Sequence, residues 1–275
     1  MMTLACRKLG SHPQGAAQQH DGPWLVWLHG LLGSGEDWQP VAELCGDIPS
    51  LLVDLPGHGK SVTQTTCGFA DVSHQLAQTL QANGIRQYWL AGYSLGGRIA
   101  MYHACYGEHH GLQGLIVEGG NLGLESDALR QARLQHDYQW AQRFRSEPLS
   151  PVLIDWYQQA VFADLDSQQR AQLVALRSNN HESAVADMLE ATSLGHQPWL
   201  LPDLQRLNIP YTYLCGERDH KFQQLAAQYS LPLRTLARAG HNAHRANPGA
   251  FAAQVLSFLS QSSFLSQSSF LSLSR

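Results

Sequence analysis

One serine in this chain sits where its hydroxyl could act as a nucleophile or a base. Gly92-Tyr93-Ser94-Leu95-Gly96-Gly97 follows the apolar run QYWLA and leads into RIAMYHAC, a helical pattern. The pentapeptide GxSxG alone fits an ordinary glycine turn. Between a strand and a helix it lifts a serine hydroxyl above the sheet, with glycines where backbones must pass closely. The hydroxyl is weak by itself. It needs a histidine to take its proton and an acid to orient that histidine. YTYLC runs into Gly216-Glu217-Arg218-Asp219, which offers Glu217 and Asp219. Ala239-Gly240-His241-Asn242 lies just ahead of an amphipathic stretch at 250–259 and offers His241. Asp219 and His241 are the expected acid and base, with Glu217 and His244 in reserve. The alternatives are a helix cap for Asp219 and a surface-loop role for His241.

Other motifs fail. Gly59-Lys60-Ser61 ends a phosphate-loop pattern whose first glycine is replaced by Asp54. Gly33-Ser34-Gly35 lacks the third glycine of a dinucleotide turn, because Trp38 stands there. His241 and His244 lie three apart with no Cys or acidic cluster nearby, so no metal site and no cofactor are expected.

The elements that must position these residues show as short apolar runs. WLVWLH, SLLVD, QYWLA, LQGLIV and PYTYLC are each followed by a Gly or Asp turn, as strands buried on both faces of a parallel sheet would be. Helical patterns lie between them: Val72, Leu76 and Leu80 recur every four residues, and Phe251, Val255, Phe258 and Leu259 share a face. This alternation predicts an α/β fold, a mostly parallel sheet with helices on both faces. Between about 121 and 205 no strand is evident, and 127–144, 152–162, 167–178 and 182–192 read as successive helices. The division expected is core at 1–120, helical cap at 121–205, core again at 206–260, and a low-complexity tail at 261–275. The tail repeats SFLSQS. A six-residue period turns its Phe-Leu pairs around a helix, so a poorly ordered extension without chemistry is expected.

Composition narrows the function. The chain has 275 residues, 44% of them hydrophobic, with a net charge of −4. That excludes a wholly disordered chain and argues against a nucleic-acid partner. Five scattered cysteines without a CxxC suggest no disulfide framework, and the first residues lack a signal-peptide core. No apolar run is long enough to cross a membrane. A monomeric cytoplasmic protein acting on a small molecule is expected. There are 15 Arg but only three Lys (Lys8, Lys60 and Lys221), and Arg offers a planar fork for carboxylates.

Taken together, Ser94, Asp219 and His241 stand in the chain order of the α/β-hydrolases, and residues 22–260 resemble that superfamily. In this fold the loop His29-Gly30-Leu31-Leu32-Gly33 supplies the second oxyanion donor, so the backbone N–H groups of Leu31 and Leu95 would point at one oxygen. His58, in the matching second loop, reads as structural or pocket-lining. A narrower resemblance is carried by GYSLGGR, IVEGG, DWYQQ, ALRSNN, MLEATSL, YLCGERD and AGHNAHRANP. These strings look like the 2-succinyl-6-hydroxy-2,4-cyclohexadiene-1-carboxylate (SHCHC) synthases of menaquinone biosynthesis. That family is a lyase on a hydrolase fold, eliminating pyruvate from a substrate with three carboxylates. The resemblance implies Ser94, Asp219 and His241 as the triad. It also implies Arg133 and Arg177 as substrate residues, with Tyr93 and Trp156 lining the pocket. Arg98, one turn beyond Ser94, joins them. The segment 121–205 holds six Arg against eleven Asp or Glu, so Arg143, Arg145 and Arg170 are expected to pair on the surface. The alternative function is an ester or thioester hydrolase with the same triad.

Overall fold

The computed structural model describes residues 3–10 and 22–272, with side chains through 262. Seven strands form one sheet in the order β1-β3-β2-β4-β5-β6-β7. They are β1 (Cys6–Leu9), β2 (Trp24–Leu28), β3 (Ser50–Val53), β4 (Tyr88–Tyr93), β5 (Leu112–Glu118), β6 (Tyr211–Gly216) and β7 (Leu233–Leu236). All neighbours run parallel except β1, which is antiparallel to β3. The five apolar runs are the five inner strands. The two edge strands, CRKL and LRTL, were not foreseen. Each carries charged or polar residues on an exposed side, so neither has the continuous apolar run of a strand buried on both faces.

Alternate residues of each strand feed two cores. Val26, Leu28, Leu90, Leu115 and Val117 pack against α2 (Phe69–Ala82), α3 (Leu95–Tyr106), α8 (Leu201–Leu204) and α9 (His220–Gln228). Leu25, Trp27, Trp89, Ala91 and Ile116 pack on the other face, against α1 (Gln39–Leu44) and α11 (Pro248–Ser272). The expected two-sided α/β arrangement is therefore present.

Of the helices expected over 121–205, three are α4 (Asp127–Ser146), α6 (Ser167–Arg177) and α7 (Glu182–Ala191), while the one expected at 152–162 is divided into α5 (Leu149–Trp156) and a 3-10 turn at Ala160–Phe162. They gather about their own apolar cluster, which includes Ala141, Phe144, Val152, Leu153, Leu173 and Val185. One residue of the main body, Leu32, is buried in this cluster and pins the cap to the sheet. α10 (Ala243–Ala246) follows the histidine loop. The tail departs from expectation: α11 continues to Ser272. After Gly249 no Gly or Pro interrupts it, so nothing in the repeat breaks the helix even without a steady apolar face.

Candidate active site

Ser94 is the residue between β4 and α3, at φ +51 and ψ −107. This positive φ is a strained position for a side-chain-bearing residue. The surroundings over-determine it. Ser94 N–H donates to the Glu118 carbonyl of β5 at 2.8 Å. A Cβ at Gly92 would lie 2.3 Å from the Gly96 carbonyl oxygen, and one at Gly96 would lie 2.2 Å from that of Leu28. Those two glycines let the turn close so tightly, which is the physical content of the GxSxG spacing.

His241 and Asp219 meet as expected. Their Nδ1···Oδ2 distance is 2.8 Å, and both side chains are buried. An ionised carboxylate only accepts, so Nδ1 carries the proton and Nε2 is left as the acceptor. Asp219 makes both contacts that its sequence position suggested. Its Oδ2 holds the histidine, while its Oδ1 caps α9 through Phe222 N–H. The imidazole stacks on Phe222 at 5.0 Å and 16°, and the Tyr93 ring packs against it at 5.1 Å. Gly119 leaves room for it. A Cβ there would stand 2.8 Å from His241 Cε1, and its φ of +56 also favours glycine.

Ser94 and His241 line one cavity of about 300 Å³ with Arg98, Arg133, Trp156 and Lys221. Ser94 Oγ has no hydrogen bond among the described residues, so its proton is uncommitted. Arg98 donates to the Thr192 carbonyl at 2.9 Å and lies over Phe69, but pairs with no carboxylate. Burial, helped by nearby Arg133, pushes its guanidinium down to about 9. Arg133 is bound to Asp137 at 2.8 Å. Trp156 packs edge-on to Trp140.

Two expected pocket residues lie elsewhere. Arg177 is not on the cavity wall. Its Nη2 donates to Asp37 at 2.7 Å, with both side chains buried. Arg245 reaches the other oxygen of Asp37 at 2.8 Å. Burial opposes the Asp37 charge, but Arg177 with His244 and Arg245 outweighs it and holds the carboxyl below its usual range. Arg177 thus ties α6 of the cap to the loop before α1, and Arg245 ties the histidine loop to the same point. Tyr93 is not on the cavity wall either. Its hydroxyl donates to Asn242 Oδ1, and its ring supports His241 from behind. The arginines proposed to pair locally do so, except Arg170. Arg143 holds Glu147 and Asp155, and Arg145 holds Asp187 and Glu190. Arg170 donates to the carbonyls of Tyr157 and Phe162.

The reserve pair is spent on structure. His244 Nδ1 meets Glu118 Oε2 at 2.8 Å and its backbone N–H meets Oε1 at 3.1 Å, while its ring stacks on Trp38. Glu217 is exposed and accepts from Arg238 N–H. Glu118 is a residue that sequence reasoning missed: its carbonyl holds Ser94 and its carboxylate holds the histidine loop. Lys221 was missed too, because only the fold shows that it faces the cavity.

The Leu31 loop is set by two buried imidazoles. His58 Nε2 accepts from Leu32 N–H at 3.0 Å, and its Nδ1 donates to the Pro56 carbonyl at 2.9 Å. His29 Nε2 accepts from Leu55 N–H at 2.9 Å, and its Nδ1 donates to the Gly30 carbonyl at 2.7 Å. Burial favours their neutral forms and pushes His58 down to about 3. His58 is therefore structural. Gly30 lets the loop press against the Tyr93 ring, 2.7 Å from where a Cβ would sit. The amides of Leu31 and Leu95 donate to no group among the described residues. Leu95 opens α3, where a helix leaves its first N–H groups unpaired.

The chain is similar to known proteins in sequence and in fold. The model of the alpha/beta hydrolase fold family matches residues 23–244. A 2-succinyl-6-hydroxy-2,4-cyclohexadiene-1-carboxylate synthase of Yersinia pestis (strain Pestoides F) is 80% identical over 263 residues, covering 96% of this chain and 97% of that protein. The synthase of Yersinia pseudotuberculosis serotype O:3 (strain YPIII) matches to the same extent. Among solved structures, MenH from S. aureus superposes with a TM-score of 0.84 at 25% identity, covering 95% of this chain and 100% of that one. A thermophilic esterase from Thermogutta terrifontis superposes at 0.76 with 18% identity, covering 94% and 93%, a likeness of fold alone. By sequence across nearly its whole length and by its overall fold, the chain belongs to the alpha/beta hydrolase fold family and, within it, to the SHCHC synthases.

Proposed function

We propose that the chain eliminates pyruvate from 2-succinyl-5-enolpyruvyl-6-hydroxy-3-cyclohexene-1-carboxylate to give SHCHC, a step of menaquinone biosynthesis. Ser94 and His241 form the base and Asp219 orients it. The observation that carries this reading is the cavity. It joins a serine and an Asp-held histidine to three cations, Arg98, Arg133 and Lys221, against one carboxylate, Asp137. Such a lining suits a substrate with three carboxylates better than a neutral ester.

The electron flow balances within the substrate. Ser94 Oγ, its proton drawn toward His241 Nε2, takes the proton from C2, α to the succinyl ketone. Negative charge moves to the ketone oxygen, which faces the N–H groups of Leu31 and Leu95. A preorganised donor of this kind contributes about 3 kcal/mol to the transition state. As the enolate collapses, C2=C3 forms, the ring double bond shifts to C4=C5, and the C5–O bond breaks. The departing enolpyruvate takes up a proton and becomes pyruvate. No water is consumed. Asp219 stabilises the imidazolium formed along the way and keeps the ring in its Nδ1–H tautomer.

The test is turnover in heavy-oxygen water. Pyruvate should be released with the diene, and the diene should carry no solvent oxygen. Solvent oxygen installed in that product by turnover, or an acyl group trapped on Ser94, would favour a hydrolase instead.

A further inference from the structure

We propose that Lys221 is a substrate-carboxylate anchor, acting with Arg98 and Arg133 from a third element that lines the same cavity. The proposal rests on the pyruvate-elimination reading above and adds the residue that completes its charge matching.

A substrate with three carboxylates needs three cations for full pairing. Of the three arginines expected to provide them, Arg177 is engaged: Asp37 holds it between cap and core, off the cavity wall. The wall itself carries three cations, and the third is Lys221. It is the second residue of α9, two positions after Asp219. Its ammonium lies 5.2 Å from the Phe222 ring centroid, and Phe222 stacks on His241. Lys221 is therefore held beside His241, while Arg98 comes from α3 and Arg133 from α4.

The local charge is unbalanced. Asp137, the one carboxylate on the wall, is saturated by Arg133 at 2.8 Å, Ser193 Oγ at 2.7 Å and His136 at 3.4 Å. Lys221 itself is in no ion pair among the described residues. Lys221 is exposed as a residue, but neighbouring atoms partly desolvate its ammonium, and this, with repulsion from Arg133 and Arg98, pushes it below its ordinary value against a pull from Asp219. A bound carboxylate relieves that repulsion.

The experiment compares the full chain with Lys221→Met and Lys221→Arg. In pyruvate-release assays Lys221→Met should raise KM about three- to tenfold, a charged contact discounted for its exposure, with kcat changed less than about twofold. Lys221→Arg should restore most of the loss. Tricarballylate, an inert tricarboxylate, should bind Lys221→Met more weakly by a similar factor in calorimetry. Melting temperature should not change. Unchanged KM and tricarballylate affinity would overturn the assignment. So would a fall in kcat alone, which would place the lysine's effect on His241. Weakened tricarballylate binding in a protein that releases no pyruvate would retain the anchor and refute the elimination reading, so the two failures are distinguishable.

Discussion

Arg98→Met tests whether Arg98 is a cation kept for the substrate or one kept for the fold. In the structure Arg98 makes one hydrogen bond, Nη1 to the Thr192 carbonyl, and lies over the Phe69 ring with its guanidinium carbon 5.5 Å from the centroid. Methionine preserves the stem packing. The lost hydrogen bond costs about 1 kcal/mol. Against that, the substitution removes a cation that burial and Arg133 disfavour and that no carboxylate neutralises. The two effects oppose each other, so net stability should change by no more than about 1 kcal/mol, or roughly 2–4 °C in Tm for a chain of this size. Catalysis should change far more. Losing a charge-assisted pair to a substrate carboxylate costs about 1.5–3 kcal/mol, which is roughly ten- to a hundredfold in kcat/KM. Arg98→Lys should recover only part of that, because an ammonium cannot make the planar fork. The assay is initial-rate pyruvate release beside a thermal melt, with Arg145→Ala as the surface control, since Arg145 is committed to Asp187 and Glu190. A kcat/KM within threefold of the parent would refute the reasoning. So would an activity loss matched by a fall of ten degrees or more in Tm, which would make Arg98 a tie between α3 and the cap.

Ser94→Ala should abolish nearly all turnover with an unchanged circular dichroism spectrum, and Asp219→Asn should impair it severely by releasing the His241 tautomer. Retained activity in Ser94→Ala would remove the base from the mechanism. Gly119→Ala should lower kcat with little change in KM, because its Cβ would stand 2.8 Å from His241 Cε1 and displace the ring. A kinetically silent Gly119→Ala would show that the loop absorbs the clash. Arg177→Met should lower Tm, since breaking a buried ion pair leaves Asp37 undercompensated at about 3–5 kcal/mol, softened here because Arg245 remains. An unchanged Tm would refute that structural assignment. Acid should destabilise the protein before its carboxylates titrate. His58 and His103 are buried neutral, pushed down to about 3 and about 4, so their folded forms bind fewer protons than the unfolded chain below 6.5. Stability is intact above 6.5 and should fall by about 2 kcal/mol per histidine on going to pH 5. A Tm flat from pH 7 to 5 would contradict this.

The inner strands and the tight turn at Ser94 were legible from local pattern because each is a local necessity. A strand buried on both faces must be apolar throughout, and a turn as tight as Gly92–Gly96 tolerates no Cβ at its ends. The edge strands β1 and β7 were not legible, since one exposed face removes that constraint. What a charged side chain meets is a different kind of fact. Arg177 and Lys221 are both cations, and nothing local separates them. Asp37 lies 140 residues from Arg177, and the fold alone brings the two together and takes that arginine out of the cavity. Glu118 escaped notice for the same reason: its partners are Ser94 on one side and His244, 126 residues away, on the other. Sequence by itself determined which groups could do the chemistry, because residue type and turn geometry are written locally. Only the tertiary structure decided which cations are neutralised at long range and which face the cavity, because an ion pair depends on distance in space and on burial.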